Sequence, residues 1–327
     1  MIAEIGVNHD GSSARALEMV DACAESGADA VKFQYFRADR LMSSACRLAT
    51  YQEDSGESDP REMLDRLQLA PEALRACVQR AHERGVHAIV TPFSLDDLGE
   101  IGDLGWDALK SASPDVINRP LLQTIMGTGK PMIVSTGAST IDEVTRASGW
   151  LDTARDRVCV LQCVSAYPTS TEDAALSGIA DVARSTGLPT GYSDHTREIA
   201  TGALAVVAGA CALEKHVTHD RGASGPDHKA SLAYDEFRTY AELAREASKM
   251  TSEGKRVLEA ERDVRSASRQ SVVSARAIRE GEHIKRGMLA IKRPGTGVEP
   301  WAIDEVVGRT AARRIEADMP ITFEDLS

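Results

Sequence analysis

The chain has 327 residues, of which 42% are apolar, and a formal charge of −12. That length holds one large core plus a small additional domain. No apolar run is long enough to span a membrane, and the acidic balance is not the footprint of a nucleic-acid binder.

Met1 leads straight into an apolar run with no basic segment or cleavage site, so no secretory signal is expected. Cys23, Cys46, Cys77, Cys159, Cys163 and Cys211 form no Cys-x-x-Cys pair and read as the reduced thiols of a cytoplasmic protein. The acidity is uneven: residues 251–327 hold 14 Lys/Arg against 13 Asp/Glu, so the whole of the excess lies before them. An anionic substrate therefore needs a local cluster of cations inside a cleft.

In chain order, short β-rich runs alternate with longer amphipathic ones. Strands are predicted at 2–8, 30–34, 87–92, 108–113, 132–136, 158–164, 189–194 and 211–217. Helices are predicted at 12–26, 71–84, 95–104, 114–128, 140–154, 174–186, 196–208 and 234–249. In the first of these, Ala16, Leu17, Val20 and Ala24 keep the spacing of a one-sided helix. Gly27, Gly85, Gly105, Gly129, Gly187 and Gly209 fall just past helices, where a left-handed cap is used.

Eight βα units in about 250 residues match a (β/α)8 barrel, a TIM barrel, in count and length. A doubly wound sheet would carry a glycine-rich dinucleotide fingerprint after its first strand, and Gly6-x-x-x-x-Gly11 lacks that spacing. The interval 35–70 is long for a barrel loop and carries Arg37, Arg40, Arg47 and Glu53-Asp54-x-x-Glu57, so a lid or specificity loop is expected there. Residues 1–250 are thus assigned to the barrel. The charged stretch 251–269 is assigned to a linker and 270–327 to a compact unit of short strands at 271–274, 278–281, 289–292 and 307–310.

Active sites of such barrels lie at the carboxyl ends of the strands. The polar residues predicted there include Lys32, Gln34, Lys110, Ser113, Ser135, Ser165, Tyr167, Ser193, Glu214, and two histidines, His195 and His216. Imidazoles from neighbouring strand ends suit Zn, Mn, Fe, Co or Ni. The plainer alternative is two unrelated histidines, one in a turn and one in the core. Two lysines among hydroxyls suit a phosphate; for Lys32 the alternative is a structural ion pair with Glu4 on the adjacent strand. Together these groups describe a pocket for a phosphorylated carboxylic acid beside an oxygen-rich partner. No phosphate-binding Gly-x-x-x-x-Gly-Lys-Ser/Thr loop and no nucleophile elbow is present.

Several stretches resemble the sialic acid synthase family, the phosphoenolpyruvate-dependent synthases of nonulosonic acids. They are Ile2-Ala-Glu-Ile-Gly-Val-Asn-His-Asp-Gly11, Val31-Lys-Phe-Gln34, Thr91-Pro-Phe-Ser94, Ser135-Thr-Gly137, Tyr167-Pro-Thr169, Gly191-Tyr-Ser-Asp-His-Thr196, Glu214-Lys-His-Val-Thr218, Gly225-Pro-Asp227 and Lys292-Arg-Pro-Gly-Thr-Gly297. The resemblance implies a TIM barrel followed by a small C-terminal antifreeze-like (SAF) domain, and condensation of phosphoenolpyruvate with an open-chain aldose such as N-acetylmannosamine. It also implies a divalent metal, Mn2+ or Mg2+, on His195 and His216. Lys32, Lys110, Ser113, Ser135 and Ser193 resemble the phosphoenolpyruvate cradle, and Glu4, Gln34, Tyr167 and Asp227 the groups around the sugar and the reacting centre. Arg293, on the small domain, resembles a residue that enters the partner subunit's barrel, which implies a domain-swapped homodimer.

The chain also departs from the family pattern. Ser111-Ala-Ser-Pro-Asp115 puts the shorter Asp115 at a presumed catalytic carboxylate position, and Ser165 stands where Asn is frequent. Two other readings stay open: a synthase of specialised metabolism using a different aldose, and a non-catalytic sugar-binding relative.

Overall fold

The computed structural model describes residues 1–54, 56–251 and 254–327, with the Asp54 side chain left aside. It divides into two compact units, Met1–Thr251 and Ser252–Ser327. Ser55, inside the expected lid loop, and residues 252 and 253 of the expected linker lie outside the described residues.

The first unit is a closed parallel barrel. Its strands are β1 (Ile2–Gly6), β2 (Ala30–Tyr35), β3 (His87–Pro92), β4 (Ala108–Ser111), β5 (Met132–Ser135), β6 (Val158–Cys163), β7 (Thr190–Asp194) and β8 (Leu213–Thr218). Each pairs with the next, and β1 pairs with β8 in the register Ile2↔Glu214 and Glu4↔His216, which closes the ring. A short strand β9 (Leu232–Ala233) adds to β8.

Around the barrel run α1 (Ser13–Glu25), α2 (Ala38–Leu41), α3 (Thr50–Asp54), α4 (Pro60–Leu67), α5 (Pro71–Glu83), α6 (Leu95–Ile101), α7 (Arg119–Gly127), α8 (Ile141–Trp150), α9 (Gly178–Thr186), α10 (Thr201–Val207) and α11 (Tyr234–Met250). Ser12 caps α1 by accepting from Arg15 N–H, and Thr140 with Glu143 forms a reciprocal box at the start of α8. Gly187 ends α9 at φ 63°, a left-handed conformation costly for a residue with a Cβ.

Strand alternation sorts the side chains into two shells. Val31, Phe33 and Tyr35 of β2 face outward into the main core with Leu74, Trp106 and Leu109. Inward, Ile2, Ala30, Ile89, Ala108, Ile133 and Leu161 form an apolar floor. Gly191 leaves room for that floor: a Cβ there would come within 2.6 Å of Leu161 Cδ2 and 2.4 Å of the Ala212 carbonyl. Two residues further along each strand, the inward positions turn polar: Glu4, Lys32, Thr91, Lys110, Ser135, Cys163, Ser193 and Glu214. The period of two thus stacks a polar ring directly above the floor, at the carboxyl end of the barrel.

The boundaries predicted from sequence shift where local chemistry intervenes. The expected helix 114–128 is a tight turn, Ser113–Ile117, followed by α7, because Asn118 caps a new helix with Pro120 in its first turn. The helices expected from 174 and 196 start at Gly178 and Thr201. The interval 35–70 holds α2, α3 and α4, and Met63, Leu64 and Leu67 pack with Val7 and Phe36 in a separate apolar cluster.

The second unit opens with α12 (Arg262–Ser268), within the stretch assigned to a linker. Strands β10 (Ser271–Ser274) and β11 (Leu289–Lys292) pair antiparallel, and a short α13 (Ile303–Val306) follows. The runs expected at 278–281 and 307–310 appear as single bridges, Ile278↔Ile315 and His283↔Thr310. Val272, Ile278, Ile284, Val306 and Ile321 make its core.

Candidate active site

Above the polar ring lies a cavity of about 460 Å3. Its lining includes Glu4, Lys32, Gln34, Lys110, Ser113, Asp115, Ser135, Ser165, Tyr167, Ser193, His195, His216 and Asp227. Every site residue expected on the barrel is therefore in one pocket. Arg293 is exposed on the second unit.

Charge is tightly interlocked at the base. Lys32 Nζ lies 2.8 Å from Glu4 Oε1 and 3.8 Å from Glu214 Oε2, so the ion pair weighed as the plainer reading of Lys32 is present, within the pocket. Lys110 Nζ lies 3.4 Å from Glu214 Oε1, which also accepts from Ser193 Oγ at 3.0 Å. Burial works against the charge on Glu214, but Lys110 and Lys32 outweigh it and hold its carboxyl below the usual range. Burial, with Lys32 close by, lowers the Lys110 ammonium, whereas Glu214 and Glu4 overcome burial and raise Lys32.

Two further carboxylates of the lining, Asp227 and Asp115, shift upward, opposite to Glu214. Burial pushes Asp227 up to about 6, with Glu4 adding to the effect. Burial also raises Asp115, whose Oδ1 accepts from Asn118 Nδ2 at 3.2 Å. Gln34 Nε2 donates to Glu4 Oε1 at 2.9 Å, and Ser113 Oγ accepts from Gly137 N–H at 3.0 Å.

His195 and His216, from the ends of β7 and β8, have ring centroids 5.4 Å apart. His195 Nδ1 donates to the Val164 carbonyl at 2.7 Å, which leaves Nε2 as the lone-pair nitrogen. Burial holds the His216 pKa well below its ordinary value, so that ring stays neutral. His216 Nδ1 is buried without a hydrogen-bond partner, 3.6 Å from Asp227 Oδ2. Among the described residues no three His, Cys, Asp or Glu side chains group as a metal cage. Two imidazoles fit instead a divalent cation that keeps positions for water and substrate oxygen. The Tyr167 ring lies 4.1 Å from that of His195 and 5.0 Å from Tyr51 of α3.

Four buried polar atoms of pocket residues have no hydrogen-bond partner: Glu4 Oε2, Ser135 Oγ, Glu214 Oε2 and His216 Nδ1. Natural proteins rarely leave such atoms unsatisfied unless a ligand or water meets them. They surround one cavity, which marks it as a binding site.

Matching the chain to a family model gives the NeuB family over residues 19–256 and the SAF domain over residues 269–327. The chain belongs to the NeuB family. It is a TIM-barrel and SAF-domain member of the phosphoenolpyruvate-dependent nonulosonic acid synthases, enzymes that form a carbon–carbon bond. It is 35% identical to the N,N'-diacetyllegionaminic acid synthase of Legionella pneumophila, over 100% of this chain and 94% of that protein. Identity to the N,N'-diacetyllegionaminic acid synthase of Campylobacter jejuni is 33%, over 97% of each chain. The crystal structure of an N-acetylneuraminic acid synthetase from Leptospira borgpetersenii, in complex with citrate, matches with a TM-score of 0.73 and 28% identity, over 80% of this chain and 88% of that one.

Two contributors to this NeuB-family site, Cys163 and Tyr51, escape a reading from strand ends alone, and a third, Glu214, is read there without its role. Cys163 is inward-facing, with Sγ 3.5 Å from Ser113 Oγ and 3.7 Å from His195 Nδ1. Counting two residues on from the floor residue Leu161 would have found it. Glu214 was visible as a polar residue of the mouth, but its central place between two lysines emerges only from the closed ring. Tyr51 comes from the long loop, where sequence carries no periodic signal.

Proposed function

We propose that this enzyme condenses phosphoenolpyruvate with a neutral, N-acylated open-chain aldose and water, releasing phosphate and a nonulosonic acid. In that reaction C3 of phosphoenolpyruvate bonds to the aldehyde carbon, water adds at C2, and the C2–oxygen bond to phosphate breaks. The ring of unpartnered buried polar atoms around one cavity carries the reading.

Lys32, Lys110, Ser135 and Ser193 bind the phosphate and carboxylate of phosphoenolpyruvate, with Ser113 beside them. Lysines and hydroxyls holding both reactants in one enclosure supply much of the rate by removing the entropy cost of meeting. The acidic residues of the lining, Glu4, Asp115, Glu214 and Asp227, outnumber its two lysines. A trianionic substrate therefore needs further positive charge. His195 and His216 would hold a divalent cation, Mn2+ or Mg2+, whose chemistry is to polarise the aldehyde oxygen as a Lewis acid. Arg293, brought by a partner subunit in a domain-swapped homodimer, would add charge at the mouth. Asp115, whose carboxyl burial raises, is the group we assign to supply the proton that the aldehyde oxygen takes up. Glu4, Gln34, Ser165, Tyr167 and Asp227 orient the sugar.

The apolar part of the lining favours the acceptor named. Phe36, Leu41, Met42, Met63, Leu64, Leu67 and Phe93 give that part an apolar surface suited to acyl and deoxy groups. A phosphorylated aldose would need cations beyond Lys32 and Lys110, and both already face Glu214. Two relatives named for a diacetylated product agree with this choice. We place the reaction in the cytoplasm, in keeping with six free cysteines.

The test is phosphate release and product mass with phosphoenolpyruvate, Mn2+ and a panel of N-acetylated, unmodified and phosphorylated aldoses. Turnover is expected with N-acetylated acceptors, to be lost on chelation and restored by Mn2+. Bound metal should fall in His195→Ala and His216→Ala. Silence with every aldose would leave the non-catalytic reading in its place.

A further inference from the structure

We propose that Cys159 and Cys211 form a thiol modification site at the amino end of the barrel, converted to a disulfide by exchange with a low-molecular-weight disulfide. Cys159 lies two residues before the floor residue Leu161, so its inward position is beneath the floor, on the side away from the cavity. Cys211 sits just before β8, where its N–H donates to the carbonyl of Thr190, the first residue of β7. The two sulfurs are 4.0 Å apart although 52 residues separate them in sequence.

Exposure and chemistry assign the two thiols different parts. Cys211 is exposed and Cys159 partly so, whereas Cys23, Cys77 and Cys163 are buried. Cys46 is exposed too, but its sulfur neighbours a Ser43 hydroxyl rather than a second thiol. A hydrogen bond from the Cys159 thiol draws Cys211 down to about 6, so Cys211 is the readier nucleophile at neutral pH. The same contact, with burial, raises Cys159. Cys159 therefore acts second.

The steps balance. The Cys211 thiolate attacks one sulfur of the small disulfide, forming a mixed disulfide and releasing one small thiol. Cys159 loses its proton and attacks the Cys211 sulfur, expelling the second small thiol. The protein dithiol is oxidised by two electrons and the small disulfide is reduced to two thiols. The sulfurs must close from 4.0 Å to about 2.05 Å.

The experiment incubates the full chain with oxidised glutathione, blocks residual thiols, digests without reductant and reads the peptides by mass spectrometry. The expected product is a linked peptide pair containing Cys159 and Cys211, lighter by two hydrogens, with Cys46 carrying only a glutathione adduct. Cys159→Ser should accumulate a lasting adduct on Cys211, and Cys211→Ser should leave Cys159 unreacted. Adducts on wild-type Cys211 without a linked pair would overturn the proposal, and so would reaction of Cys159 at an unchanged rate in Cys211→Ser. The wild-type result needs no variant to be interpretable, and it is independent of whether the enzyme's acceptor has been found.

Discussion

The Lys32 ammonium and the Glu4 carboxylate meet at 2.8 Å, both buried, where β1 and β2 run in register. Each is the other's nearest compensation for lost hydration. Glu4→Ala and Lys32→Ala should each lower unfolding stability by about 3 kcal/mol, the low end for a buried charge left unpaired, since Glu214 partly covers Lys32. The double variant should lose less than the sum of the two. Urea titrations of the four proteins measure the coupling; additive losses would mean that the pair is not a unit.

Asp115 sits on the tight turn after β4, half-buried, with one oxygen tied to Asn118. Replacing its ionisable group while keeping its shape should remove the proton it handles. Asp115→Asn is expected to slow phosphate release by about 100-fold or more with little change in the KM for phosphoenolpyruvate, as general acids commonly contribute. Asp115→Glu should keep most of the activity. Equal rates in wild type and Asp115→Asn would assign proton transfer elsewhere.

Tyr51 reaches the cavity from α3 and packs near Tyr167, on the side of the apolar wall. Tyr51→Ala should raise KM for the aldose by about tenfold, the worth of one aromatic contact. The KM for phosphoenolpyruvate should stay within about twofold, because the ring contact of Tyr51 is with Tyr167, which is assigned to the sugar, rather than with Lys32 or Lys110. Steady-state kinetics with each substrate varied in turn separates the two. A parallel rise in both would mean that the loop orders the whole site.

His9 supplies a pH signature of its own. Burial lowers its pKa from 6.5 to about 4, with Asp10 only partly opposing, and Nδ1 accepts from Gly11 N–H at 3.0 Å. The unfolded chain takes up this proton first. The contribution is therefore complete above pH 6.5 and lost as pH falls toward about 4, amounting to roughly 3 kcal/mol over that window. Comparing urea midpoints of wild type and His9→Asn at pH 7 and pH 4.5 isolates it. The wild type should lose more stability than the variant, and identical losses would contradict the assignment.

How far a sequence can be read depends on the range of the interactions involved. Strand positions such as Ala30 to Gln34 were legible because alternation and flanking glycines are local, and so were Lys32, Lys110, His195 and His216 at strand ends. The break at Asn118 was not, since a cap and a proline inside an amphipathic run compete with the helix pattern. Glu214 gained its significance from Lys32 and Lys110, which lie far away in sequence and adjacent only once the ring forms. Met63, Leu64 and Leu67 of the long loop were less legible because their partners Val7 and Phe36 lie far away in sequence, and Tyr51 stands on a helix of only five residues.

The pairing of β1 with β8 has a consequence for how the chain matures during synthesis. The first strand of the barrel to be made waits for the eighth before its free edge is covered, a long-range contact that slows assembly. Glu214 arrives with that last strand, so Lys110 lacks its carboxylate until then. The same closing event therefore seals the hydrogen-bonded ring and completes the catalytic chamber, and a nascent chain short of β8 has neither.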